Sequence, residues 1–283
     1  TTALCSPTRA ALLTGRNHHV AGFGVVSEMS TGFDADNATT APENAHGAAT
    51  LQLNGYATAW LGKNHNVPPA EASPAGPFTR WPVGLGYDFF YGFAGGDTNQ
   101  WAPGNLYRDT TPISPFVGQP GWNLIGAMAD EAITWIRTHH EIDPKRPWFM
   151  HYASGATHAP HHPSPEWIKK ISDMKLFDDG WEKLRETIFA NQKRLGIMPP
   201  NAQLTPWPDG QEIYNGAKLP RWDSLSWEEK KLFIKQVDVY AAYQAYADNE
   251  IGRVIQAVED LGQLDNTLII YISGDNGASA EGM

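Results

Sequence analysis

The chain has 283 residues, 41% apolar and 18% charged, and 31 acidic against 21 basic side chains give it a net charge of −10. That composition suits a folded chain with a sizeable core and excludes a disordered polar segment. The acidic balance argues against a nucleic-acid or anionic-membrane surface, while leaving anionic small substrates open, since a local site can be basic in an acidic protein.

Read from the N-terminus, short apolar runs alternate with amphipathic stretches, which points to an α/β fold. Residues 56–61 (YATAWL) form the first expected buried strand. Residues 68–120 are rich in Gly, Pro, Trp and Tyr with little periodicity, and are expected to be a long excursion on one side of the sheet. A helix is expected over 127–139, with Met128, Ala132, Ile133, Trp135 and Ile136 apolar, followed by a second strand over 148–153 (WFMHYA). Residues 201–223 resemble 68–120 in composition. The longest helix is expected over 227–261, its later part presenting Ile251, Val254, Ile255, Val258 and Leu261 on one face, with Gly262 as its stop. A loop at 263–266 then leads to a third buried strand, 268–273 (LIIYIS). The expected architecture is a mostly parallel central sheet flanked by helices. No apolar run approaches the roughly 18 residues of a membrane span, and the single cysteine, Cys5, excludes an internal disulfide and a cysteine zinc cluster.

The densest chemical signal is Leu4-Cys5-Ser6-Pro7-Thr8-Arg9, running into Leu12-Leu13-Thr14-Gly15-Arg16. A small cysteine before a helix, with Arg9 as a surface charge, is the bland account. A thiolate phosphatase loop would place Arg six positions after Cys, where this chain has Ala11. Further along, Lys63 and His65 follow the first strand and His158 follows the second. Asp275 and Asn276 stand at the carboxyl end of the third, where ligands gather in open α/β sheets. Their oxygens suit a hard cation such as Ca²⁺ or Mg²⁺. Cationic and donor groups beside a metal make a site for a tetrahedral anion. Singly, Asp275-Asn276-Gly277 reads equally as a β-turn and Lys63 as a solvated charge.

As an ordered set, these pieces resemble the sulfatase family. Cys-x-Pro-x-Arg followed by Leu-Leu-Thr-Gly-Arg resembles its signature. Gly62-Lys63-Asn64-His65 is similar to its Gly-Lys-x-His, residues 84–92 to a structural segment, Thr157-His158-Ala159-Pro160-His161 to its His-x-Pro-His turn, and Asp275-Asn276-Gly277 to its metal turn. The resemblance implies an alkaline-phosphatase-like fold and a sulfuric ester hydrolase of the arylsulfatase type. It implies that a formylglycine-generating enzyme converts Cys5 to an aldehyde (3-oxoalanine), whose hydrate carries the nucleophilic hydroxyl on a bound Ca²⁺, with Mg²⁺ second. Asp275, Asn276 and modified Cys5 would be metal ligands. Arg9 would orient the hydrate, Lys63 would hold sulfate charge, His158 would protonate the leaving oxygen, and His65 would take a proton from the second hydroxyl. The partners implied are a small sulfate ester and the maturation enzyme. A formylglycine-dependent phosphonate or phosphodiester hydrolase, and a non-catalytic relative with unmodified Cys5, are the alternatives. The chain is expected to be part of one catalytic domain, without the N-terminal strand that carries an Asp pair and without the smaller C-terminal domain.

Among the remaining candidates, His18 and His19 are expected at the surface, and His139 and His140 at a helix end. His46 and His162 show no spacing logic. His161, Asp97, Asn99 and Gln100 are candidates for the pocket wall. Trp81, Trp101 and Trp122 are read either as an aryl pocket or as ordinary packing. Asn64, where the family commonly has an aromatic, is expected to alter that wall.

Overall fold

The computed structural model describes residues 2–214 and 216–274. Asp275 and Asn276 lie outside the described residues. The chain divides into two compact units, Thr1–His162 with Tyr246–Met283, and Pro163–Ala245.

The first unit opens with α1, Cys5–Thr14, which starts after extended Leu4 and stops at left-handed Gly15, whose N–H returns to the Ala11 carbonyl. Helix α2, Gly47–Leu53, leads into β1, Ala57–Lys63. Strands β2 (Phe89–Phe93), β3 (Leu106–Arg108) and β4 (Thr111–Pro112) follow. Helix α3, Leu124–Ile142, is capped by the Asn123 side chain, which accepts the Ile125 N–H at 3.0 Å, and carries His139 and His140 in its last turn, where imidazoles complement the helix dipole. Strand β5, Trp148–Ala153, closes the sheet in the order β4-β3-β2-β1-β5. Strand β1 runs parallel to both β2 and β5, whereas β3 and β4 are added antiparallel.

β1 is buried along its whole length because helices cover both faces. Ala57, Ala59 and Leu61 face Leu124, Met128, Ala132, Trp135 and Ile136 of α3. Trp60, on the other face, packs with Leu13 of α1, Ala48 of α2, Trp81, Tyr87 and Phe90. Trp81 is therefore core, and Trp122 packs against the opposite cluster. Each such large side chain contributes about 1.5–3 kcal/mol on burial. The strands meet closely at two glycines. A Cβ on Gly62, whose φ is 102°, would strike the Ala153 carbonyl, and a Cβ on Gly92 would strike the Gly62 carbonyl.

Two expectations are corrected. Residues 68–120 are not an excursion beside the sheet: they supply β2, β3 and β4. β2 is a five-residue aromatic run, FFYGF, paired in register with β1. Its brevity and glycine hide the pattern, and packing against β1 selects the strand. Residues 268–273 do not form a strand. Leu268, Ile270 and Ile272 are 85%, 71% and 66% exposed. An apolar β-branched run becomes a strand only where a sheet edge accepts its backbone, and among the described residues this one pairs with none.

The second unit contains α4 (Pro165–Asp173), α5 (Gly180–Arg194), the hairpin of β6 (Glu212–Tyr214) and β7 (Ala217–Lys218), and the first part of α6, Trp227–Asp260. The hairpin stands within residues 201–223. Trp181 packs edge-on against Trp222 and Phe233, at 5.1 and 5.4 Å between centroids. The later part of α6 returns to the first unit, where Val254, Val258 and Leu261 pack on the cluster beneath β1, and Gly262, with φ 67°, follows its end. Among the described residues no helix is long and apolar enough to cross a membrane.

Candidate active site

The site is built around the first turn of α1. Cys5 is the first helical residue and half-buried, so its sulfur stands at a helix N-terminus, where negative charge is favoured. The turn is anchored below. The Ser6 hydroxyl accepts the Ser27 N–H at 3.1 Å, and the Ser6 carbonyl accepts from Asn66 Nδ2 at 3.0 Å. One turn on, Arg9 Nη1 donates to the Lys63 carbonyl at 2.9 Å. Burial lowers the Arg9 guanidinium to about 10, against the opposing pull of Cys5, so it stays cationic at neutral pH.

Lys63 ends β1 and is only 2% exposed, which removes the solvated-charge account of this residue. The chain then turns sharply. The Asn64 side chain accepts the N–H groups of Asn66 and Val67 at 2.7 and 2.9 Å, while the Asn64 and His65 N–H groups continue the pairing with β2 through the Phe93 and Ala94 carbonyls. Asn64 is thus the cap of this turn, buried within it, rather than a piece of pocket wall. The turn holds His65 in the left-handed region, φ 61°, and its ring lies against Gly96, where a Cβ would come within 2.7 Å of Cε1. His65 Nε2 meets both carboxylate oxygens of Glu28, at 2.8 and 3.0 Å.

From the carboxyl end of β5 comes His158. Its Nδ1 lies 2.7 Å from the Ala159 carbonyl, so Nδ1 carries the hydrogen and Nε2 is the nitrogen left to face the site. His158 and Gly155 are tied by a 3.0 Å backbone bond. Hydrogen bonding from His158 and then His65, with the charge of Lys63, outweighs burial and pulls the Cys5 thiol from 9.0 to about 5. The sulfur marks where the oxygens of a modified residue 5 would stand. The arrangement therefore stabilises an anion at that position.

Cys5, Arg9, Lys63, His65 and His158 thus converge at the carboxyl ends of β1 and β5, although 153 positions separate the first from the last. Glu28 had no signal in the sequence, being one acidic residue in a polar loop. Gln100 is buried and its N–H points to His162 Nδ1 at 3.3 Å, while Asp97 and Asn99 are exposed. His18 is half-buried, its Nδ1 2.9 Å from the Phe23 carbonyl, and His19 is exposed. His46 is buried. Among the described residues, Arg9 and Lys63 bring positive charge toward the Cys5 sulfur, which suits an anion there. Among the described residues no group of three or more His, Cys, Asp or Glu side chains could hold a metal ion.

A central sheet with helices on both faces, and an anion site where its parallel strands end, make this an α/β protein with its candidate site at the carboxyl edge of the sheet. The sulfatase family model matches residues 1–283, and the chain belongs to the sulfatase family. It is 28% identical to an uncharacterized sulfatase of Schizosaccharomyces pombe, over 98% of this chain and 50% of that protein. With the arylsulfatase of Klebsiella aerogenes it shares 25% identity, over 99% of this chain and 57% of that one. The chain spans about half the length of the curated relatives it matches. In fold it resembles a sulfatase of Bacteroides fragilis at a TM-score of 0.59 and 16% identity, covering 93% of this chain and 50% of the other. A protein solved with its substrate D-glucosamine-2-N,6-O-disulfate gives a TM-score of 0.54 at 20% identity, covering 94% and 54%.

Proposed function

We propose that the full-length protein is a sulfuric ester hydrolase of the arylsulfatase type, working through a formylglycine made from Cys5. The observation that carries this reading is the position of Cys5: the first residue of a helix, inside Cys-x-Pro-x-Arg, with His158, His65 and Lys63 lowering its thiol to about 5. The maturation enzyme would read the Cys5, Pro7 and Arg9 pattern in the chain.

Formed and hydrated, the modified side chain would supply one hydroxyl that takes the sulfuryl group from the ester and a second whose loss of a proton re-forms the aldehyde and expels sulfate with cleavage of the C–O bond. The residues of the chain then have distinct tasks. Lys63 Nζ holds the negative charge of the sulfate oxygens. His158, whose Nδ1 hydrogen is committed to Ala159, acts as the imidazolium: it gives the second hydrogen, on Nε2, to the departing ester oxygen and is left neutral. His65 takes a proton from residue 5. Arg9 fixes the Lys63 carbonyl and so the end of β1 against α1. We assign the ligands of a divalent cation, Ca²⁺ in preference to Mg²⁺, to Asp275, Asn276 and modified residue 5. This rests on the oxygen donors of the first two and on family membership.

The test uses full-length protein made with a formylglycine-generating system. Intact mass of the Cys5 peptide should show the loss that accompanies conversion to the aldehyde. Hydrolysis of an aryl sulfate should exceed that of the matching aryl phosphonate, and Cys5→Ser should retain only a trace, since a serine ester has no second hydroxyl. Near-normal turnover by Cys5→Ser would sink the mechanism, and a preference for the phosphonate would move the protein to the other hydrolase class.

A further inference from the structure

We propose that Glu28 is a positioning residue for His65, fixing the imidazole with its hydrogen on Nε2 so that Nδ1 is the unprotonated nitrogen of the site. The proposal rests on the reading above, in which His65 accepts a proton from residue 5.

An exposed Glu beside a His is ordinarily a surface pair of little consequence. This pair is unlike that in three respects. First, the two partners differ in burial. The Glu28 side chain is 60% exposed, whereas that of His65 is 6% exposed, so the carboxylate closes over a buried ring. Second, Glu28 is held. It sits on the single helical turn Ser27–Met29, and Ser27 is stapled at both ends: its N–H donates to Ser6 Oγ of α1, and its hydroxyl donates to the His65 carbonyl, each at 3.1 Å. The turn carrying Glu28 is therefore tied both to the helix that presents Cys5 and to the backbone of the residue it contacts. Third, the His65 ring is backed by Gly96, where a Cβ would come within 2.7 Å of it.

Chemistry follows from the contact. A carboxylate only accepts, so Nε2 at 2.8 Å must donate, and the neutral ring then carries a lone pair on Nδ1. Nδ1 is buried and, the Cys5 sulfur apart, has no hydrogen-bond partner among the described residues; a thiolate there would draw a hydrogen from the ring, and once the thiol is replaced Nδ1 is an open acceptor. A buried acceptor left open in a site built around residue 5 is a place for a hydroxyl donor. Partial burial pushes the Glu28 carboxyl up, but its own backbone amide and the nearby His65 and Lys63 outweigh this and hold it below its usual value. The pair has the logic of a carboxylate that orients an imidazole base.

The experiment has two arms on the full-length protein. Full-length Cys5→Ala protein labelled with ¹⁵N-histidine, in which no thiolate faces the ring, reports the His65 tautomer by NMR, independent of activity. In that background Glu28 and Glu28→Asp should show hydrogen on Nε2; Glu28→Ala should show a mixture or a switch to Nδ1. In mature protein, Glu28→Ala should lower kcat for an aryl sulfate by roughly 10- to 100-fold, the order of magnitude by which loss of a carboxylate that orients a metal-ligating histidine lowers activity. KM should stay within about two-fold, and Glu28→Asp should recover most of kcat, because the carboxylate touches His65 and not the ester. An unchanged tautomer in Glu28→Ala, or an unchanged kcat, overturns the proposal. A tautomer shift in a protein whose mature wild type hydrolyses no sulfate ester would support the positioning role and count against the hydrolase reading.

Discussion

Two histidines of this chain show how environment decides what the same side chain does. His65 meets a carboxylate at 2.8 Å in a site that gathers charge. His46 precedes α2, is 2% exposed, and has a buried Nδ1 without a hydrogen-bond partner. Burial alone pushes His46 down from 6.5 to about 4, and His151 is pushed down to about 3 by burial, with Arg9 and His46 adding to the effect. Between pH 6.5 and about 4 the unfolded chain binds a proton at residue 46 that the folded chain refuses. Stability from this residue is thus complete above pH 6.5 and is lost as pH falls through that window, at about 1.4 kcal/mol per unit. Comparing urea unfolding at pH 7.5 and 5, His46→Gln should show about 2 kcal/mol less pH dependence than wild type. Carboxylates titrate in both proteins, so the difference between them isolates the imidazole. Equal pH dependence would mean that His46 is protonated in the fold.

At the scale of elements, the site depends on how closely β1, β2 and β5 approach. Gly62 and Gly92 are paired across β1 and β2, and a Cβ on Gly92 would overlap the Gly62 carbonyl, a rigid backbone atom. Gly92→Ala should therefore destabilise the first unit by about 1–3 kcal/mol, the usual cost of overpacking. It should also displace the turn carrying Lys63 and His65, which continues the same pairing. Urea unfolding and the His65 NMR signals would check both, and a neutral effect would show that the strands can separate at no cost. Helices α3 and α6 were legible because their apolar residues recur at helical spacing over many turns, and β1 and β5 because each is a continuous apolar run. β2 was not legible, since five aromatic and glycine residues amid Gly and Pro carry no period. Residues 268–273 misled for the opposite reason: composition can state that a run would suit a strand but not that an edge is there to pair it. In the site, motif order led to Cys5, Arg9, Lys63, His65 and His158. Nothing along the chain marks Glu28, whose role exists only through the turn that brings it over His65.

For the whole molecule the opposing facts are a net charge of −10 and an uncharged apolar run at 268–272 that is largely exposed. Leu268, Ile270, Tyr271 and Ile272 are each at least 61% exposed, and Ile269 between them is 42% exposed. With β-branched Ile269, Ile270 and Ile272, no charge and no proline, residues 268–272 have the composition of a self-pairing segment. Like-charge repulsion between molecules opposes its association, and salt screens repulsion without weakening apolar contact. This chain should therefore self-associate in a concentration-dependent way, and more strongly at 0.5 M salt than at low salt. Ile270→Lys with Ile272→Lys should return it to monomer under both conditions, with the far-ultraviolet circular dichroism unchanged, because neither side chain is buried. Sedimentation velocity of the two proteins decides it: equal association in the double variant would place the sticky surface elsewhere on the molecule.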